Sequence, residues 1–204
     1  MGDRGADAGE PGLRIEPLGP IDDVPLSERV VIRGERVVLR PLRPEDLDAW
    51  FDARMATAGD KTVSPVGPPD RERLRARVER SGILHEGWLD LAIELDGRIV
   101  GDIGTYGEEP GREVRPGTYF FGIELFSTAD RGKGLGTDAT RALCDWLLRE
   151  AGAVRIETAT AVSNAPMRGV LERLRFSFDG VERRWDVDWA TYSMTRDVWD
   201  APAA

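Results

Sequence analysis

The segment that most constrains the fold is an apolar run followed by a glycine-rich loop and an amphipathic helix. Residues 119–126 are nearly continuously apolar, which is typical of a strand buried on both faces. Only Gly122 and Glu124 interrupt this run, and a glycine inside a central strand often accompanies a bulge or a close approach by a backbone or a ligand. After the loop, apolar residues recur with helical spacing until Gly152, at Leu135, Ala139, Ala142, Leu143, Trp146 and Leu147. The pattern predicts a central strand that leads into a long helix with one buried face.

The loop between this strand and this helix has the composition of an anion-binding nest. Residues 131–137 read Arg-Gly-Lys-Gly-Leu-Gly-Thr. Three glycines let backbone N–H groups turn inward, the helix N-terminus adds roughly half a positive charge, and Lys133 adds a full one. We therefore expect a phosphate or pyrophosphate here. The spacing is not that of a Walker loop, and the third glycine of the dinucleotide fingerprint is absent, so nucleoside triphosphates and nicotinamide dinucleotides are disfavoured.

Short strand and helix patterns make up most of the remaining chain. We expect strands at residues 37–42, 88–95, 98–106, 154–158, 176–179 and 189–196. We expect one helix that begins within residues 43–46, one at 70–79, and a short one that starts at Ser163 or Asn164 and has its apolar positions within 167–174. Asp96 and Gly97 predict a hairpin turn between two of these strands. Residues 64–69 and 108–116 read as loops, and residues 70–79 as a solvated helix with two apolar positions, Leu74 and Val78.

Length and composition indicate one globular domain with an extension. The chain has 204 residues, of which 41% are hydrophobic, and no apolar run approaches the length of about 18 residues that a membrane span needs. Residues 1–28 hold five glycines and four prolines, which predicts a flexible N-terminal extension before a domain at residues 29–200. Within the extension, residues 13–18 could dock as an edge strand.

Charge and rare residues exclude several classes of function. The N-terminus lacks a basic segment followed by an apolar stretch, so we expect a soluble cytoplasmic protein without membrane contact. A net charge of -9 disfavours nucleic acid as a partner. One cysteine, Cys144, and one histidine, His85, exclude an internal disulfide and a Cys/His zinc site, and we expect no metal. We interpret Cys144 as core packing and His85 as a loop residue without a catalytic role.

Several segments together resemble the GCN5-related N-acetyltransferase (GNAT) superfamily. They are residues 122–125, 131–139, 155–158, Asn164 and residues 171–176. Residues 38–46 and 189–196 also resemble the branch that contains the bacterial ribosomal-protein N-terminal acetyltransferases, so the likeness covers roughly residues 33–199. The resemblance implies an α+β fold with a mixed, mostly antiparallel central sheet that splays at a cofactor cleft and is flanked by helices.

The resemblance also implies acetyl-CoA as the co-substrate and a set of residues that bind it. Its pantetheine arm would lie along the backbone of Leu125 and Phe126 like an added strand. Its pyrophosphate would lie on the loop before the long helix, formed by Arg131, Gly132, Lys133, Gly134, Leu135, Gly136 and Thr137. Asn164 would approach the cofactor arm, and a helix N-cap is the equally open alternative.

An acyl transfer to an amine needs a base, an oxyanion donor and a leaving group. We expect Glu124 to be the base, because burial would raise its pKa; the alternative is a surface glutamate or one paired with an arginine. The resemblance implies a backbone N–H of Leu125 or Phe126 as the oxyanion donor. Many relatives place a tyrosine where Leu171 stands, and Met167 and Arg175 also depart from the family pattern. No general acid is assigned, and a thiol with a pKa near 8.5 can leave as the thiolate.

We therefore expect an N-acyltransferase that moves an acetyl group to a primary amine of a small molecule or a peptide N-terminus. One alternative is a non-catalytic CoA-binding module, which the leucine at position 171 favours. Another is an acyltransferase with a carrier-protein-tethered donor, which Arg131 and Lys133 would bind. Trp50, Trp185, Trp189 and Tyr192 could wall an acceptor pocket or pack in a core or interface. Tryptophans that we expect at exposed edges favour a homodimer.

Overall fold

The fold is known from a computed structural model that describes residue 25, residues 28–60, residue 62, residues 68–106 and residues 115–202. The expected extension at residues 1–28 lies outside the described residues except at Pro25 and Glu28, and so does the expected edge strand at 13–18. Most of the two expected loops, at 64–69 and 108–116, also lies outside them.

The described residues form eight strands and five helices. The strands are β1 (Ile32–Arg33), β2 (Val38–Arg40), β3 (Leu89–Leu95), β4 (Arg98–Tyr106), β5 (Thr118–Leu125), β6 (Arg155–Ala161), β7 (Ser177–Arg184) and β8 (Val187–Thr195). The helices are α1 (Leu47–Ala56), α2 (Arg71–Arg80), α3 (Leu135–Arg149), α4 (Ala165–Arg173) and α5 (Arg196–Asp200). Single 3-10 turns at Pro44–Asp46 and Thr128–Asp130 precede α1 and the glycine-rich loop.

All eight strands belong to one sheet in the order β1-β2-β3-β4-β5-β6-β8-β7. Every neighbouring pair is antiparallel except β5 and β6, which are parallel. The predicted hairpin is confirmed, since Asp96 and Gly97 join β3 to β4 with φ of 50° and 78°, as a tight two-residue turn requires. The expected α+β fold with a mixed, mostly antiparallel sheet is therefore confirmed.

The sheet opens between β5 and β6. These strands pair only from Thr118 opposite Arg155 to Phe120 opposite Glu157, although both continue beyond that point. Just past the last pair, the Thr158 hydroxyl donates a hydrogen bond of 2.9 Å to the Phe121 carbonyl oxygen. From there on, the two strands leave a cleft between them.

The expectation that β5 is buried on both faces is wrong. Only Phe121 is fully buried, and the other seven residues of the strand are at least partly exposed. For the second half of the strand the physical reason is the opening, because β5 beyond Phe120 has no neighbouring strand on its β6 side. An apolar run does not distinguish a strand that packs against protein from one that borders a cleft.

Helices cover both faces of the sheet. On one face, α3 buries Leu135, Leu143 and Leu147 against strand residues that include Ile103 and Phe121, which confirms the predicted amphipathic helix. Cys144 is also buried there and burial raises the pKa of its thiol, which fits the packing interpretation. On the other face, side chains of α1 and α2 pack with Leu42, which precedes α1, and with Ala92 of β3. The smaller cluster is formed by Leu42, Leu47, Trp50, Leu74, Val78 and Ala92. Leu74 and Val78 are the two apolar positions expected for α2.

The expectation of exposed, tryptophan-rich edges is wrong. All six tryptophans are buried or half-buried. Trp50 is fully buried beneath α2, and Trp185 packs edge-on against Trp189 with ring centroids 6.0 Å apart. The exposed apolar side chains on the β7 edge are instead Phe178 and Val181. The homodimer stays a prediction.

A contact that the sequence did not reveal fastens the start of α3 to the β1–β2 turn. The Asp138 carboxylate is buried and accepts hydrogen bonds from the N–H groups of Glu35, Arg36 and Val37 at 2.9, 2.8 and 3.0 Å. A Cβ at Gly34 would lie 2.7 Å from the same carboxylate, so the turn needs glycine there. The N-terminal end of α3 is thus held in a fixed place relative to β1 and β2.

We expect Asp138→Asn to lower the free energy of unfolding by about 2–4 kcal/mol, because hydrogen bonds to a charged acceptor are worth about 1.5–3 kcal/mol each. The amide can accept fewer of the three N–H groups, and its NH₂ faces donors. Chemical denaturation measures the change. The control is Glu150→Gln at the exposed end of the same helix, which should change stability by less than about 0.5 kcal/mol. Equal effects of the two variants would refute this role for Asp138.

Candidate active site

The loop before α3 presents a row of free backbone N–H groups. Gly132 and Gly134 have φ of 73° and 84°, which turns successive peptide groups to the same side. The first helical hydrogen bond runs from the Asp138 N–H to the Gly134 carbonyl at 3.0 Å, and no side chain caps the helix. Across the described part of the chain, the N–H groups of residues 132–137 have no acceptor. Such a row at the positive end of a long helix can bind an anion.

The space over these N–H groups is open. A Cβ built at Gly132 would meet no atom within 4 Å, and one at Gly134 would meet only Arg36 Nη1 at 3.8 Å. Glycine at these positions therefore serves both the positive φ and the empty volume. The geometry is that of the anion nest expected from the sequence.

Cationic side chains surround the loop. The Arg36 guanidinium donates to the Lys133 carbonyl, and Arg131 donates to the Leu125 carbonyl at 3.2 Å. Asp130, which directly precedes the loop, is bound by Arg98 through two hydrogen bonds of 3.0 and 3.1 Å. Those hydrogen bonds lower the pKa of Asp130 and compensate its charge. Sequence reasoning missed Arg36, which arrives from the β1–β2 turn.

The backbone of β5 borders the cleft at Leu125. The Phe126 N–H donates to the Val100 carbonyl at 3.0 Å, so the Phe126 N–H points toward β4 and is already used. The expectation that this N–H could serve as oxyanion donor is therefore wrong. Since backbone groups alternate along a strand, the N–H of Leu125 points the other way, toward the opening. Of the two expected donors, Leu125 is the one that the geometry allows.

Asn164 lies at the N-terminus of α4, after β6. Its side-chain oxygen accepts a hydrogen bond of 3.2 Å from the Met167 N–H, so the N-cap interpretation is confirmed. Its expected contact with a cofactor arm stays a prediction. Leu171 on the same helix is fully buried and brings no hydroxyl to the cleft.

Arg175 ends α4 in the left-handed conformation, with φ of 63°. The Phe176 N–H donates to the Leu171 carbonyl at 2.9 Å and the Arg175 N–H donates to the Glu172 carbonyl at 3.0 Å. This pattern is the Schellman motif, in which glycine is preferred at the left-handed position. Arg175 therefore ends the helix in a normal C-terminal motif although it departs from the expected family pattern.

Glu124 points to the face of the sheet that α1 covers, and its side chain is 10% exposed. Its Oε2 atom lies 3.5 Å from Arg54 Nη1, and its Oε1 atom accepts from the Thr57 hydroxyl at 3.4 Å. Burial raises the pKa of Glu124, and the Arg54 charge opposes this effect. The two alternatives from the sequence are therefore both present, since the glutamate is buried and also pairs with an arginine.

Asp102 is a second buried carboxylate beside Glu124. It lies on β4 directly opposite Glu124 in the antiparallel register, and it accepts a hydrogen bond of 2.7 Å from Arg54 Nη2. The carboxylates oppose the effect of burial on Arg54 and raise the pKa of its guanidinium. Sequence reasoning missed both residues. An acid within the apolar stretch of β4 was the available signal, but the pairing depends on strand register and on where α1 lies.

The glycine inside β5 has an explanation within the chain. A Cβ at Gly122 would lie 2.7 Å from the Tyr106 hydroxyl oxygen, so the missing side chain makes room for the Tyr106 ring. The register between β4 and β5 is continuous here, without a bulge. Burial raises the pKa of Tyr106, which keeps its hydroxyl neutral. The close approach at this glycine is therefore made by the Tyr106 side chain, and the expected bulge or approach by another backbone is not found there.

The other candidate residues from the sequence make contacts within the fold. His85 forms a backbone bridge with Trp88, and its ring lies 3.9 Å from the carboxylate of Glu86. Trp189 and Tyr192 are buried in the β8 region.

Among the residues with described positions, no helix is both long and apolar enough to cross a bilayer. In that same set, no three His, Cys, Asp or Glu side chains cluster as metal ligands would.

Comparison with solved structures finds the same fold in several acetyltransferases. One is AAC(6')-Ib in complex with ribostamycin and coenzyme A, with a TM-score of 0.67 and 22% identity over 83% of this chain and 99% of that chain. Another is a GNAT-family acetyltransferase from Bacillus anthracis, with a TM-score of 0.66 and 19% identity over 82% of this chain and 99% of the other. A third is Mycobacterium smegmatis RimJ in complex with CoA-disulfide, with a TM-score of 0.64 and 23% identity over 85% and 89% of the two chains.

The sequence itself matches a family model. No curated protein matches the chain significantly. The model of the acetyltransferase (GNAT) domain matches residues 36–177, which is more than half of the 204 residues. This match includes β5, the glycine-rich loop, α3 and α4. The chain therefore belongs to the GNAT acetyltransferase domain family.

Proposed function

We propose that this protein transfers an acetyl group from acetyl-CoA to a primary amine of a small molecule or a peptide N-terminus. The observation that carries the proposal is the position of the open nest at residues 132–137 beside the cleft that β5 borders. Glu124 lies one residue before Leu125, whose N–H faces the cleft and whose carbonyl accepts from Arg131 of the loop. An anion site, an unpaired strand edge and a buried carboxylate thus occur within one short stretch.

The residues present fit acetyl-CoA. The free N–H groups of residues 132–137 and the cations Arg36, Arg131 and Lys133 suit its pyrophosphate. The unpaired edge of β5 suits an extended arm that adds to the sheet, with Leu125 as the hydrogen-bonding residue. When bound, acetyl-CoA supplies a thioester whose carbonyl carbon an amine can attack.

The chain would contribute a base and an oxyanion donor to this transfer. Glu124 takes a proton from the amine, directly or through a water, as the new N–C bond forms. The Leu125 N–H donates to the carbonyl oxygen. The C–S bond breaks with its electron pair on sulfur, and a thiol with a pKa of about 8.5 leaves without a side-chain acid at Leu171.

The finer part of the proposal concerns the acceptor. An α-amine has a pKa near 8, against about 10.4 for a lysine side chain, so a peptide N-terminus demands less of the base. The similarity to RimJ at 23% identity supports the ribosomal-protein branch. The comparable similarity to AAC(6')-Ib in complex with ribostamycin supports a small-molecule amine instead.

Release of free thiol from acetyl-CoA across a panel of amines tests the proposal. The panel contains short peptides with free N-termini, the same peptides with blocked N-termini and an internal lysine, and an aminoglycoside. We expect saturable thiol release that depends on the amine, with acetylated product identified by mass spectrometry. Binding of CoA without amine-dependent release would favour the non-catalytic module. Release only from an acylated carrier protein would favour the tethered donor.

A further inference from the structure

Three buried charged groups form a row on the α1 side of the sheet. The Arg54 guanidinium lies between the carboxylates of Asp102 and Glu124, and the three side chains are 19%, 9% and 10% exposed. Asp102 and Glu124 face each other across neighbouring strands, where opposing side chains lie roughly 5 Å apart. Two buried carboxylates at such a distance repel each other unless a cation separates them. Arg54 is that cation.

The row is asymmetric. Arg54 Nη2 hydrogen-bonds Asp102 at 2.7 Å, whereas Arg54 Nη1 lies 3.5 Å from Glu124. Asp102 therefore anchors the arginine, and Glu124 is held more loosely and keeps lone pairs available. Asp102 Oδ1 and Arg54 Nε are buried without a hydrogen-bond partner in the described structure. In a purely structural ion pair, such buried atoms are expected to have hydrogen-bond partners. The cluster therefore keeps unused hydrogen-bonding atoms next to Glu124.

We infer that Arg54 is a positioning residue for Glu124: anchored by Asp102, it orients the Glu124 carboxylate and sets the pH range in which that carboxylate accepts a proton. The inference rests on the proposed function for the role of Glu124 as base. It adds two residues, one from α1 and one from β4, that act through Glu124 without themselves contacting the reacting atoms.

The charged groups around Glu124 act on it with opposite signs. Burial raises its pKa, Arg54 lowers it, Asp102 raises it, and the Thr57 hydrogen bond and the Arg131 charge lower it. Two further titratable groups interact with Arg54. Tyr106 is neutral because burial raises its pKa, and Arg77 is a cation whose charge is paired with Asp90. A base works only when deprotonated, so activity falls as the pH drops through the pKa of Glu124. The loss of Arg54 moves this acid limb to higher pH, and the loss of the Asp102 charge moves it to lower pH.

The test is the dependence of kcat/KM on pH in matched variants. We expect Arg54→Met to shift the acid limb upward by about one pH unit, so that kcat/KM at a pH on the limb falls about tenfold. Arg54→Lys should restore part of this loss. Asp102→Asn should shift the limb downward. The control is Arg77→Met, which breaks another largely buried pair, with Asp90 at 3.0 Å, on the same face of the sheet. It should leave the limb unmoved.

Two further measurements separate a folding defect and a wrong function from a wrong inference. The double variant Arg54→Met/Asp102→Asn removes one charge of each sign and leaves Glu124 as the one charged group of the row. Its limb should fall between those of the single variants, with CoA affinity unchanged. A ¹³C NMR titration of the Glu124 carboxyl, identified by its loss in Glu124→Gln, reads the same shifts without turnover. If the pKa of Glu124 is unchanged or lower in Arg54→Met, the inference is overturned. If the pKa of Glu124 shifts as expected in the variants but the protein shows no amine-dependent turnover, only the proposed function is overturned.

Discussion

Glu124→Gln is expected to lower kcat for amine acetylation by about 10²–10⁴-fold, the usual contribution of general acid–base catalysis. Glutamine preserves the shape of the side chain but cannot accept the proton of the amine. Arg54 keeps its hydrogen bond to Asp102, so the cluster should stay folded. Steady-state kinetics over a pH series measures both the loss of rate and the loss of the acid limb, while a CoA titration should give an affinity within about twofold of the unmodified protein.

Glu94→Gln is the matched control for that variant. Glu94 on β3 is also largely buried and paired with an arginine, Arg40, whose Nε lies 2.5 Å from its carboxylate. The same chemical change there should leave kcat within about twofold of the unmodified value, since β3 does not border the cleft. If Glu124→Gln also retains its rate, Glu124 is not the base.

Gly134→Leu is expected to weaken CoA binding by at least about 100-fold, which is about 2.7 kcal/mol of binding free energy. Two effects contribute. A leucine at φ of 84° costs about 1–2 kcal/mol of backbone strain, and its side chain fills the open space over the free N–H groups. Isothermal titration calorimetry with CoA measures the loss.

Gly152→Leu separates these two effects. Gly152 follows the other end of α3, has φ of 77° and has open space around its missing side chain. A leucine there meets the same backbone strain but lies far from the nest in sequence, at the opposite end of the helix. We expect reduced stability and unchanged CoA affinity. Equal loss of affinity in both variants would mean that strain in α3, and not an occupied nest, explains the result of Gly134→Leu.

The sequence predicted the elements whose signals are local. The apolar spacing of α3, the Asp96-Gly97 turn and the N-cap at Asn164 each depend on residues within about one or two turns of one another, and all three are confirmed. The overall sheet followed from the resemblance of scattered segments to one family. The run of glycines at residues 132–136 was sufficient to predict an anion nest, because positive φ and free N–H groups are local properties.

What the sequence did not predict depends on distant segments. The Asp138 contacts join residues about a hundred positions apart, from the Val37 pair at 101 to the Glu35 pair at 103. The Arg54–Asp102 pair spans 48 positions and needs both the strand register and the place of α1. The prediction that β5 is buried on both faces was wrong because an apolar strand can line a cleft as well as a core. The prediction of the Phe126 N–H as an oxyanion donor was wrong because the direction of this N–H follows from its hydrogen bond to Val100.

We expect the free N–H groups of residues 132–137 to bind the pyrophosphate of CoA. Calorimetric titration of the full-length protein with CoA tests this most directly, with Gly134→Leu and Gly152→Leu measured in parallel. Saturable binding with a Kd below about 1 mM is expected for the unmodified protein and for Gly152→Leu, and loss of this binding is expected for Gly134→Leu. Absence of saturable binding by the unmodified protein, or unchanged affinity in Gly134→Leu, would contradict it.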